Sequence, residues 1–182
     1  MTTLKDRPNK ALLVIDFQNG VVADAFERDR VAANINQLLH NARAAGAAVI
    51  WVQDLGEGRD EGSQAWQIVP ELDPLPTEPR VQKLYGDAFE ATDLEEHLAA
   101  VGIGALFVAG AQTDACIRST LHGAVTRGYD TFLVADAHTT EDLTEWGNPT
   151  PEAVIAHTNL YWQYHSAPDR EVGTVNAADV SF

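Results

Sequence analysis

The feature that most constrains this chain is an alternation of short, wholly apolar runs with stretches of helical period. The runs are Ala11-Leu12-Leu13-Val14-Ile15, Ala48-Val49-Ile50-Trp51-Val52, Ala105-Leu106-Phe107-Val108-Ala109-Gly110 and Thr131-Phe132-Leu133-Val134-Ala135. A run that short with no polar face fits a strand covered on both sides. Between the first two, Val31, Ile35, Leu38, Leu39 and Ala42 recur at helical spacing, and Gly46 stands where that helix would end. Thr92-Asp93-Leu94-Glu95 has the spacing of a capping box for a helix to about Val101. Thr113 is expected to cap another, with Ile117, Leu121, Ala124 and Val125 on its apolar face and Gly128 at its end. Thr150-Pro151 opens a further helix, with Pro at the tolerated first position. Shorter strands are expected near Arg80–Leu84 and Val172–Val175. Strand and helix repeated this way give parallel βαβ units with right-handed crossovers and helices on both faces. The expected fold is therefore α/β, one domain over residues 1–182, built on a doubly wound, mainly parallel, Rossmann-like sheet.

Composition narrows the function classes. Twelve basic against 27 acidic residues give a net charge of −15. That field repels nucleic acid and anionic membranes, so neither is expected as a partner. No apolar run approaches 18 residues, and the polar start MTTLKDRPNK lacks the apolar segment of a signal peptide. With a single cysteine, which suits a reducing compartment, the expected location is the cytoplasm. A nicotinamide-dinucleotide enzyme is disfavoured because Asp16-Phe17-Gln18-Asn19-Gly20 stands where G-x-G-x-x-G would be required. No cofactor is expected. The Gly-, Glu-, Asp- and Pro-rich stretch over residues 56–79 has no sustained period, and loops of that length inside a domain are usually functional.

In doubly wound sheets, ligands bind beyond the carboxyl ends of the strands. Asp16, the Gly110-to-Cys116 turn and Asp136 all lie at such ends. Cys116 falls about three residues into the helix after strand four, where unpaired N–H groups favour a thiolate, while Asp114 opposes it. A solitary Cys is more often a small buried hydrophobe. A nucleophilic thiol needs a proton acceptor. Of six histidines, His40 and His97 read as helix-surface residues, and His122 falls on a different helix face from Cys116. His138 is better placed, just past strand five, but none is compelling. Asp16 is the other candidate, since a partly desolvated carboxylate gains basicity enough to accept a thiol proton. The competing reading is an Asp that caps a loop. Lys83 would hold Asp16 ionised; taken alone, it reads as a solvated surface charge.

Together these residues resemble the isochorismatase-like cysteine hydrolases, the superfamily of isochorismatases, nicotinamidases and N-carbamoylsarcosine amidases. The resemblance rests on Leu12-Leu13-Val14-Ile15-Asp16-Phe17-Gln18-Asn19-Gly20, on Lys83 with Tyr85-Gly86-Asp87-Ala88-Phe89, and on Gly110-Ala111-Gln112-Thr113-Asp114-Ala115-Cys116. Gly128-Tyr129-Asp130 through Val134-Ala135-Asp136-Ala137 fits as well. It implies an Asp16–Lys83–Cys116 triad in which Asp16 takes the proton and Cys116 attacks a carbonyl. It also implies a cis peptide at Ala111–Gln112, with the backbone N–H groups of Gln112 and Cys116 forming an oxyanion hole. Nicotinamidases of this family bind a metal through an Asp and two His; here the corresponding Gln53-Asp54-Leu55-Gly56-Glu57-Gly58-Arg59 has no histidine, so no metal is expected.

The leading expectation is hydrolysis of a small-molecule C–N bond (amide, carbamoyl or cyclic amide). Phe17, Gln53, Trp66, Tyr85 and Ala111 are the candidates for contacting the substrate; loop packing or a subunit contact is the competing reading for Trp66. Vinyl-ether hydrolysis and a catalytically silent binding protein are the alternatives. Relatives of this kind form homo-oligomers, for which Leu160-Tyr161-Trp162 is the candidate contact.

Overall fold

The computed structural model describes residues 2–182. Six strands form one parallel sheet: β1 (Asn9–Ile15), β2 (Ala48–Asp54), β3 (Arg80–Lys83), β4 (Ile103–Ala111), β5 (Asp130–Thr139) and β6 (Val172–Val175), in the order β3-β2-β1-β4-β5-β6. β1 lies at the centre, with Leu13 in register with Ile50 of β2 on one side and Val108 of β4 on the other. Its residues Ala11–Ile15 are buried, which is why the run carries no polar position.

Four α-helices cover the two faces: α1 (Arg28–Ala45), α2 (Leu94–Ala100), α3 (Arg118–Arg127) and α4 (Pro151–Gln163). Leu12 and Val14 point to one core, filled by Val31, Ile35, Leu38 and Leu39 of α1. Ala11, Leu13 and Ile15 point to the other, packed by Leu94 and Leu98 of α2, Leu121 and Ala124 of α3 and Trp162 of α4. Each fully buried aliphatic side chain contributes about 1.5–3 kcal/mol. From β1 the chain winds outward through α1 to β2, and from β4 through α3 to β5 in the opposite direction. The carboxyl ends of adjacent β1 and β4 therefore form the topological switch point, where such sheets open a crevice.

Several local readings are revised. β5 does not close at Ala135 but continues to Thr139, because a register irregularity in β4 between Val108 and Gly110 lets the pairing resume with Gly110 opposite His138. Asp136 turns its carboxylate to the backbone N–H of Ala177, away from the crevice. Thr92 makes no capping box: its hydroxyl donates to the Ala88 carbonyl, and Asp93 is the N-cap. Thr113 does not cap α3, since a π-helical turn over Thr113–Ile117 precedes that helix and Gln112 stands at its N-cap. Trp162 is fully buried, so only Leu160 and Tyr161 of the expected contact segment face outward. The Thr150 hydroxyl does cap α4, accepting from the N–H of Ala153 with Pro151 in the first turn. Among the described residues, no helix is long and apolar enough to cross a membrane.

Candidate active site

Asp16 is the first residue past β1, and its φ of 49° lies in the left-handed region. Asp tolerates that conformation better than a branched residue, and there it turns the carboxylate across the end of the sheet. Gly110, at the facing end of β4, has φ 122°; a Cβ there would run into the Ile15 backbone. Only glycine lets the two strand ends approach this closely. The Ala111–Gln112 peptide that follows is cis, and the π-helical turn then carries Cys116 back over the crevice.

Lys83 ends β3, two strands from β1, and its wholly buried side chain crosses the end of β2 to reach the same point. Its Nζ lies 2.7 Å from Asp16 Oδ2, 3.2 Å from Cys116 Sγ and 3.4 Å from Asp54 Oδ1. Asp16 is 1% exposed, and among the described residues its Oδ1 has no hydrogen-bond partner. The thiol is close enough for its charge and that of Asp16 to act on each other, although it forms no bond of standard geometry to Oδ1.

The electrostatics follow from burial. Desolvation pushes the Asp16 carboxyl up to about 6, against the opposing pull of Lys83. Desolvation, then the Asp16 charge, pushes the Cys116 thiol up to about 12, with Lys83 offsetting part. Lys83 is itself raised, because the anions beside it outweigh its own burial. At neutral pH the resting site is thus carboxylate, ammonium and neutral thiol. The thiolate anticipated from a helix N-terminus is not favoured here, since burial beside a carboxylate outweighs the dipole.

Asp16 and Cys116 open on a cavity of about 290 Å³, walled also by Gly20, Val21, Gln112 and Ala115, with Asp54, Arg59 and Glu141 as its further charged residues. That size suits a small molecule. Asp54 Oδ2 accepts from Arg59 Nε at 2.7 Å and from the Gly56 N–H at 2.9 Å, with Arg59 Nη2 at 2.6 Å. Burial raises the Asp54 carboxyl, but Lys83 and Arg59 together bring it below its ordinary value. A carboxylate so committed to cations, with no histidine over residues 53–59, does not fit a metal-ligand set.

Of the expected site residues, Asp16, Lys83, Cys116 and Gln112 come together. The proposed substrate contacts do not join them at the cavity wall. Phe17 is buried in the α1-side core, and Ala111 is buried beneath the turn. Gln53 is buried and donates to the Trp66 carbonyl at 3.0 Å. Trp66 belongs to the β2–β3 connection, which pairs with the segment after β1 through Gln18 and Ile68. Tyr85 is 56% exposed beyond β3. His138 is a core residue held between Thr113 and Asn159, and burial lowers its imidazole to about 4. Arg59 and Glu141 were missed as wall residues. Arg59 lies in the stretch read only for metal ligands, and Glu141 became visible only once β5 was followed past Asp136.

A parallel sheet with a buried Lys–Asp pair beneath a partly exposed cysteine at its switch point defines an α/β protein with a thiol-centred site. The chain belongs to the isochorismatase family, whose Isochorismatase domain matches residues 10–148. It is 36% identical over 143 residues to a streptothricin hydrolase of Streptomyces noursei, covering 75% of this chain and 57% of that protein. The chain thus spans little more than half the length of that relative. An uncharacterised isochorismatase family protein of Bacillus subtilis is 32% identical over 178 residues, covering 93% of this chain and 96% of the relative. The crystal structure of an isochorismatase from Pseudomonas putida KT2440 superposes with a TM-score of 0.82 at 28% identity, covering 94% of this chain and 90% of that one.

Proposed function

We propose that the protein hydrolyses a C–N bond of a small molecule, an amide, carbamoyl group or cyclic amide, through a thioester on Cys116. The observation that carries this reading is the position of Lys83 Nζ, 2.7 Å from Asp16 and 3.2 Å from Cys116 at the edge of a small cavity. Similarity to a streptothricin hydrolase supports hydrolytic chemistry.

In the resting state, burial and the neighbouring Asp16 charge hold the proton on the thiol. Proton transfer therefore accompanies attack: as Sγ bonds to the carbonyl carbon, the proton passes to Asp16 and the negative charge moves to the carbonyl oxygen. The backbone N–H groups of Gln112 and Cys116 are the proposed donors to that oxygen, and one such donor is typically worth about 10²–10³ in rate. Collapse of the tetrahedral intermediate breaks the C–N bond while Asp16 returns the proton to the departing nitrogen. Water then attacks the thioester, giving its proton to Asp16; the acid leaves and Cys116 recovers its proton. Lys83 keeps a cation beside Asp16 and Sγ throughout, which stabilises the carboxylate form that begins each half-reaction.

The test is ammonia or amine release from a panel of small amides by the wild type, Cys116→Ala and Asp16→Asn. Loss of turnover in both variants is expected. Amine release that survives Cys116→Ala would contradict the thioester route, and no release from any amide by the wild type would contradict C–N hydrolysis.

A further inference from the structure

The charges around the cavity pair off with one left over. Asp16 is matched by Lys83 at 2.7 Å, and Asp54 by Arg59 at 2.6 Å. Glu141 also lines the cavity, yet among the described residues its carboxylate makes no hydrogen bond or ion pair. It follows the end of β5, held by an antiparallel bridge to Ala25, while Arg59 lies beyond β2. β2 and β5 flank the central β1–β4 pair, so the two residues come from opposite flanks of the crevice. Asp16 opens on the same cavity, but its carboxylate is committed to Lys83 and the neighbouring Cys116, which leaves Glu141 as the charge without a partner there.

We propose that the substrate carries a positive charge, an ammonium or guanidinium group remote from the scissile carbonyl, and that Glu141 is its counter-ion. This rests on the hydrolase reading above and adds the substrate class to it. An anionic substrate would meet an uncompensated carboxylate and an Arg59 whose Nε and Nη2 are already bound to Asp54. The net charge of −15 acts in the same direction, concentrating cations near the protein.

Cys116 is the only cysteine, so thiol reagents report on this cavity alone. The probes are 2-aminoethyl, methyl and 2-sulfonatoethyl methanethiosulfonate, which are cationic, neutral and anionic. In each the sulfur of Cys116 forms a disulfide and methanesulfinate leaves. Rates are normalised to those of free 2-mercaptoethanol. The expected order is cation, neutral, anion, with a cation-to-anion ratio of about tenfold or more that shrinks at high salt. Glu141→Gln should reduce that ratio several-fold, whereas Glu145→Gln, an exposed position outside the cavity, should leave it unchanged. A ratio that Glu141→Gln does not move overturns the counter-ion assignment and leaves the nucleophile reading intact. A Cys116 that reacts with none of the three reagents in folded protein overturns both.

Discussion

Lys83 Nζ and Asp16 Oδ2 meet at 2.7 Å although their strands are not neighbours, because the lysine stem passes over the end of β2. An edge strand thus supplies the cation for a centre built on β1 and β4. One buried ammonium thereby serves Asp16, Cys116 and Asp54 together.

Removing that ammonium should be costly. Lys83→Met leaves Asp16 buried without a counter-ion, and breaking one partner of a buried pair typically costs about 3–5 kcal/mol. Urea denaturation at pH 8 should give a loss of that order. The loss should be smaller at pH 5, where Asp16 takes up a proton.

Asp16 links stability to pH. Its carboxyl is raised from 3.8 to about 6 on folding, so between those values the folded chain holds a proton that the unfolded chain has lost. Stability should therefore fall as pH rises from about 4 to about 6, by about 3 kcal/mol from this group, and change little from it above that. Asp16→Asn should flatten this window in denaturation curves. Activity runs the other way, since attack needs the carboxylate: kcat/KM should rise through an acid limb near pH 6.

Gly110 tests the closeness of the strand ends. Gly110→Ala forces a Cβ onto the Ile15 backbone and demands φ 122° of an L-residue. A destabilisation of about 2–4 kcal/mol is expected, with activity lost in whatever fraction folds, because Asp16 and Cys116 are positioned from those two strand ends. A melting temperature unchanged from wild type would contradict this.

Much of the frame was legible because fully buried strands leave unbroken apolar runs. The βαβ alternation, the Gly46 and Gly128 stops and the strand-end Asp16 could all be read that way. Cys116 stands out as a lone thiol early in a helix and Lys83 as a possible cation for Asp16, but only the resemblance joins them into one triad, since a lysine on a short edge strand looks solvated until the fold buries its stem. The pocket wall was not legible. Phe17 and Trp66 are candidate substrate contacts in the sequence because an aromatic near a strand end or in a long loop suits either a site or packing; in the structure Phe17 lies in the α1-side core, and neither lines the cavity. Arg59 and Glu141 reach the cavity through connections whose course depends on long-range contacts, which no local pattern encodes. The helix-terminus argument for a thiolate, which Asp114 already opposes, leaves out desolvation and a carboxylate brought from another strand, and these hold the thiol protonated.

The central claim is that Asp16 and Cys116 act as one proton-transfer pair, and the most direct measurement is iodoacetamide alkylation of Cys116 at pH 8 beside amide hydrolysis, in wild type and Asp16→Asn. Asp16 raises the thiol by its charge, so removing it should expose more thiolate and speed alkylation several-fold. The same substitution removes the proton acceptor, so hydrolysis should fall by about 10² or more. A faster thiol on a slower enzyme is the predicted result. Equal alkylation rates in the two folded proteins would contradict the pairing.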